Sequence, residues 1–222
     1  MKELAPGVWQ LSGFPPNAIN VYLLGDVVVD AATRHAGRRI LRQLRGRTVT
    51  AHALTHAHPD HQGSSKEVCE KLEVPFWVGE ADADAAERPE LITERQPDHP
   101  IARFFDRTMK GPGRRVDRRL HEGDEVAGFT VLDTPGHSAG HVSFWREFDR
   151  VLVLGDVLNN MDVLTSVPGL HEPKTFLTPD PEQNRRSIWK LVALEPRLVL
   201  FGHGGPLSDR GRLARFVEGL PS

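Results

Sequence analysis

Along the first third of the chain, short apolar runs alternate with turn residues. VWQLSG (8–13), NVYLLGD (20–26) and VVVDA (27–31) predict strands, with Gly25-Asp26 as a tight connection. The period then changes: RHAGRRILRQL (34–44) has helical spacing, TVTAHALT (48–55) returns to a strand, SSKEVCEKL (64–72) fits a short helix, and VPFWVG (74–79) a further strand. In the second half GFTVLDT, HVSFWREF, RVLVLGD and RLVLFGH are strand-like. DPEQNRRSIWKLVALE (180–195) predicts the strongest helix: Asp180 as N-cap, Pro181 at the first position, and Ile188, Leu191, Val192 and Leu194 spaced for one buried face. DRGRLARFVEGL (209–220) predicts a shorter closing helix.

Clusters of strands separated and followed by helices imply a layered α/β protein, and no fixed-period repeat is present. One domain over residues 1–222 is expected. Residues 93–119 depart from the pattern. They are arginine-rich, carry the breaker Gly111-Pro112-Gly113, and place Phe104-Phe105 on a short predicted helix, so they read as an insertion or lid. Within it Arg103, Arg107 or Lys110 would attract an anionic substrate, unless the run is a solvated face partly neutralised by Asp106 and Asp117.

Composition narrows the function classes. Hydrophobic content of 39% and charged content of 26% are those of an ordinary soluble globular protein, and a net charge of −2 gives no overall pull toward nucleic acid or an anionic membrane. The single cysteine, Cys69, excludes a disulfide framework. The N-terminal MKELAPGVWQL lacks a long apolar run and a small-residue cleavage signal, so a cytoplasmic location is expected.

The candidate chemistry lies in LTHAHPDHQG (54–63), which holds His56, His58, Asp60 and His61 within six positions. His56 and His58 are two apart, so in extended chain they face one side and can share a metal. Pro59 disfavours helix at His58, while Asp60 and His61 sit where the chain turns and aim elsewhere, toward a second site. Imidazole with carboxylate suits zinc, and iron or manganese would accept the same set. Three more candidates each follow an apolar strand: His137 after Thr134-Pro135-Gly136, Asp156 at the end of RVLVLGD, and His203 between glycines that let the backbone crowd a metal. Sites in open α/β sheets gather at the carboxyl ends of strands.

HAHPDH (56–61), TPGHSAGH (134–141), Gly155-Asp156 and Gly202-His203-Gly204 resemble, in order and over nearly the whole chain, the metallo-β-lactamase superfamily of hydrolases. The resemblance implies an αββα sandwich, two facing mixed sheets flanked by helices. It implies that His56, His58 and His137 hold one divalent metal ion, that Asp60, His61 and His203 hold another, and that Asp156 bridges them. A water shared by two such ions becomes hydroxide at neutral pH and attacks the substrate, with no protein nucleophile. Asp60 is the group expected to orient it and pass on a proton.

His141 reads equally as a group behind the metals or as a structural histidine. His52 reads as packing or surface, and His35, His99 and His121 as solvated. The segment after Asp156 leaves the metal edge, so Met161, His171 and Lys174 are candidate substrate-pocket residues, with Phe104 and Phe105 as a cover. Phe14-Pro15-Pro16 is a candidate for the opposite rim, where similar folds place a hairpin. The only tyrosine, Tyr22, lies in a predicted N-terminal strand, which argues against lactonases with a tyrosine at the metals and against a full glutathione pocket. The expected activity is hydrolysis of a small-molecule ester, thioester or lactone by a compact, glyoxalase II-like enzyme. The alternatives are a mononuclear iron persulfide dioxygenase, a phosphodiesterase or a β-lactamase. A homodimer is compatible with the sequence but not specified by it.

Overall fold

Five of the predicted strands, with an unpredicted one at either edge, pair into one sheet in chain order: β1 (Lys2–Ala5), β2 (Val8–Gln10), β3 (Tyr22–Leu24), β4 (Val27–Val29), β5 (Ala51–Ala53), β6 (Phe76–Gly79) and β7 (Arg118–Leu120). The computed structural model describes residues 1–221. The first four strands are antiparallel, and β4 through β7 are parallel, each joined by a helical crossover. The crossovers are α1 (Gly37–Gln43), then α2 (Pro59–Gln62) with α3 (Ser65–Leu72), then α4 (Ala83–Glu87), α5 (Glu90–Arg95) and α6 (Pro100–Met109).

A second sheet contains β8 (Glu125–Val126), β9 (Phe129–Asp133), β10 (Val142–Arg146) and β11 (Val151–Gly155) as an antiparallel meander. After the hairpin of β12 (Asn159–Met161) and β13 (Pro168–His171) and the helix α7 (Pro181–Val192), β14 (Leu198–Phe201) adds parallel to β11. Helix α8 (Arg210–Glu218) closes the described chain.

Strand alternation sorts the side chains into layers. Tyr22, Leu24, Val27, Val29, Ala51 and Ala53 of the first sheet meet Phe129, Val131, Phe144, Val153 and Leu200 of the second, forming the central core. The intervening residues point outward: Leu23 and Val28 pack with Ile40 and Val68 of the helices, and Leu152 and Leu154 with Ile188, Leu191 and Leu213. The result is the expected αββα sandwich. Among the described residues no helix is long and apolar enough to cross a membrane.

The α7 prediction holds at its start, with Asp180 accepting the Gln183 N–H at 2.8 Å and Pro181 opening the helix. The helix ends at Val192, so Leu194 lies beyond it and, like Val192, is half-buried. His52 is packed rather than exposed. On the outer face of β5 its Nδ1 lies 3.0 Å from Val28 O and its Nε2 2.8 Å from Ser65 Oγ, and the ring stacks on Phe76. His99, read as solvated, instead stacks on Phe176 with ring centroids 4.2 Å apart, and its Nδ1 accepts the Ile101 N–H. Its ring is half-buried because it caps α6. The 93–119 segment supplies the end of α5, all of α6 and the start of β7, and Gly111 packs on the Gly63 backbone too closely for any Cβ.

Candidate metal centre

At the carboxyl end of β5 the chain stays extended through His58 (φ −90°, ψ 157°), and Pro59 then starts α2. His137 follows β9, Asp156 follows β11 and His203 follows β14, so both sheets contribute at one edge. All seven predicted ligands converge there. His56, His58 and His137 form one group, His56, His61 and Asp156 a second, and Asp60, His61 and His203 a third, with ligand atoms of each group within 4.8 Å of one another. Asp156 reaches across them: its Oδ1 lies 3.5 Å from His61 Nε2, and its Oδ2 lies 3.6 Å from His137 Nε2 and 3.0 Å from His203 Nε2.

Each imidazole is turned by a partner on its far nitrogen. His56 Nδ1 meets Thr55 Oγ1 at 3.0 Å, His61 Nδ1 meets Asp30 Oδ2 at 2.9 Å, and His137 Nδ1 meets Thr178 Oγ1 at 3.1 Å. His203 Nδ1 faces the Ala18 carbonyl. In His58 it is Nε2 that is engaged, 2.7 Å from the Gln96 side-chain amide, which leaves Nδ1 for the site. Such contacts fix the tautomer and aim the remaining lone pair, as metal-binding histidines require. The nitrogens left over, His56 Nε2, His61 Nε2 and His137 Nε2, are buried with no hydrogen-bond partner, as is Asp156 Oδ1. Buried polar atoms are seldom left so, and four converging in one place fit cations.

The charges agree. Burial, reinforced by the neighbouring imidazoles, pushes His56 and His137 well below the usual histidine range, so both are neutral donors. His58 is also lowered by burial. For His61 and His203 burial opposes protonation but the carboxylates outweigh it. Asp156, Asp30 and Asp60 raise His61, and Asp156 with Asp60 raises His203 to about 10. Despite their own burial, Asp60 and Asp156 are held well below the carboxylate range by His61 and His203. The site therefore concentrates anions that demand positive charge, which bound cations supply in place of protons.

Glycines make this crowding possible, though what they accommodate is protein rather than metal. A Cβ at Gly202 would lie 1.9 Å from Asp156 Oδ1, and one at Gly155 2.6 Å from His141 Nε2. His141 itself is buried, bonded to Thr134 Oγ1 at 2.8 Å, and accepts the Asp156 N–H at 3.1 Å, so it stands behind the ligands.

A cavity of about 230 Å³ opens over the ligands, with Phe105 and Lys174 in its wall. Of the other proposed pocket residues, Phe104 is 60% exposed, Met161 is packed within β12, and His171 lies on β13 opposite Asn159; none of the three lines the cavity. Lys174 pairs with Asp162, Arg103 with Asp98 and Lys110 with Asp106. Pro15 lines the cavity while Phe14 projects into solvent.

Several contributors escaped the sequence reading. Asp30 accepts the Thr55 N–H at 2.8 Å as well as contacting His61. It had a usable signal, since VVVD ends an apolar run as VLVLGD does. Asn159 lines the cavity with a buried, unpartnered Oδ1, and Gln96 and Thr178 sit on connecting loops, where no spacing announces them.

Comparison with known proteins agrees with this geometry. Residues 14–203 match the family model of the metallo-beta-lactamase superfamily. The Bacillus subtilis (strain 168) protein named "Probable metallo-hydrolase YflN" is 30% identical over 97% of this chain and 90% of its own length. A hydroxyacylglutathione hydrolase of Bdellovibrio bacteriovorus is 26% identical over 67% of this chain and 46% of its own. The crystal structure of TTHA1623 in a di-iron-bound form superposes with a TM-score of 0.65 at 28% identity, covering 96% of each chain. With the sandwich, the ligand order and these matches in agreement, the chain belongs to the metallo-beta-lactamase superfamily and is a metal-dependent hydrolase.

Proposed function

We propose that the protein hydrolyses a small ester, thioester or lactone with two metal ions, zinc before iron or manganese. The observation that carries this reading is the pair of three-ligand groups joined through Asp156 beneath one small cavity. His56, His58 and His137 would hold one ion, Asp60, His61 and His203 the other, and Asp156 would serve both. When bound, the ions would supply an acidified water and polarise the substrate oxygen.

The chain does the rest. Asp60 lines the cavity with its Oδ2 3.3 Å from His203 Nε2, so its carboxylate can accept a hydrogen bond from the attacking water, orient it and pass on its proton. Asn159 at the cavity wall holds an unpartnered Oδ1, which can accept a hydrogen bond from a donor group of the substrate or from water. Ile19, Phe105, Met109 and Leu177 exclude bulk water. Tyr22 takes no part, since it is buried in the central core with its hydroxyl donating to Phe201 O at 2.8 Å. The likeness to a hydroxyacylglutathione hydrolase supports a thioester among the candidate substrates.

Metal analysis of the purified protein, followed by turnover of thioesters, lactones, phosphodiesters and β-lactams, tests the proposal. Two zinc or manganese ions per chain with ester or thioester turnover support it, whereas one iron with oxygen uptake on a persulfide replaces it with a dioxygenase. Asp60→Ala should lower turnover by about 100-fold or more and weaken one ion; full activity in that variant refutes the role given to Asp60.

A further inference from the structure

A second cavity, about 560 Å³, adjoins the metal cavity and shares two wall residues with it, His58 and Gln96. Its walls are largely apolar, with Ala57, Ala85, Ile92, Pro135 and Ala139 among them. Arg95 is the one cation in the wall. Its Nη1 donates to Ala81 O at 3.0 Å, and no carboxylate pairs with it among the described residues. Two carboxylates share this wall, and each is engaged by neutral donors rather than by Arg95. Asp82 accepts from the Ala57 N–H, Ser138 Oγ and the Gly140 N–H, and Asp180 caps the Gln183 N–H.

The metal cavity alone is smaller than the usual range of about 300–1,000 Å³ for ligand pockets, whereas its neighbour falls within it. A substrate larger than a short acyl group therefore needs room beyond the metals, and the adjoining space begins at the rim that His58 and Gln96 form. From these observations we infer that the second cavity is a substrate subsite for a medium-length apolar chain bearing a carboxylate, with Arg95 as the residue that selects the anion. The inference builds on the hydrolase reading. The apolar walls bury the methylene groups, and an otherwise unpaired guanidinium at such a site favours a carboxylate over a neutral end group. Gln96 would connect the two spaces: the same side chain contacts His58 and borders the chain-binding cavity.

The test is calorimetric titration of the metal-loaded protein with hexanoate and with its uncharged analogue hexanamide. Hexanoate should bind about tenfold more tightly or better, and Arg95→Gln should remove that preference. Ala139→Trp, which fills the cavity, should weaken both ligands about tenfold or more; Gln183→Trp, on the first turn of α7, provides an independent block should the first variant misfold. Hexanoate binding that neither tryptophan variant changes would place the carboxylate on the metals and overturn the inference, as would equal affinity for the two ligands in the native protein. Ester turnover with either of those results rejects the subsite alone. The expected binding pattern in a protein inert toward every ester, thioester and lactone rejects the proposed ester, thioester or lactone hydrolysis and keeps the cavity as a carboxylate site.

Discussion

Asp30 influences the metal centre without lining its cavity. Held at φ 62° directly after β4, it fixes both the Thr55 backbone and the His61 ring. Asp30→Ala frees that ring and removes its acceptor, so metal affinity should fall about 10–100-fold in a chelator-competition titration. Gly202 acts by absence of bulk: Gly202→Ala would push its methyl into Asp156, displacing the carboxylate proposed to serve both ions. The alanine variant should purify with less than about half the native metal content, read by elemental analysis. Retention of full metal would mean that the β14 backbone shifts at little cost.

The elements were legible in proportion to how strongly their sequence is periodic. The runs ending at Asp156 and His203 read correctly because a strand buried over nearly its whole length and followed by glycine and a ligand leaves few alternatives. Strands β12 and β13 carry too few apolar residues to announce themselves, and their pairing depends on contacts made after the chain has folded. The ligand set was readable for the same local reason, whereas Gln96 and Thr178 reach it from loops whose course only tertiary packing decides. His52 shows the converse: a polar residue in an apolar strand that became a buried link between β5 and α3. Burial lowers its pKa to about 4, below the ordinary 6.5, so the unfolded chain takes up the proton first. The stability that neutral His52 contributes is complete above pH 6.5 and is lost as pH falls toward 4, by an amount on the order of 3 kcal/mol at most. Denaturant midpoints between pH 7 and 4 should fall less steeply in His52→Asn than in the native protein.

For the molecule as a whole, metal binding should be coupled to folding, because the ligands come from both sheets. Removing the ions with a chelator should lower the melting temperature, and returning zinc should restore it in a concentration-dependent way. An unchanged melting curve would mean that the layers hold their arrangement unaided. Residues 56–61 leave the first sheet, while His137, Asp156 and His203 leave the second. The ions would thus act as a cross-link at one margin of a two-layered body whose opposite margin, near Thr50 and Arg150, is held by hydrogen bonds, packing and the Arg150–Glu195 ion pair. Once that link is gone, the layers should part like jaws from the metal side. Amide exchange would then accelerate first at residues 54–63 and 134–141 and spread only later into β10 and β11. The same ions that do the chemistry would decide where the molecule begins to open.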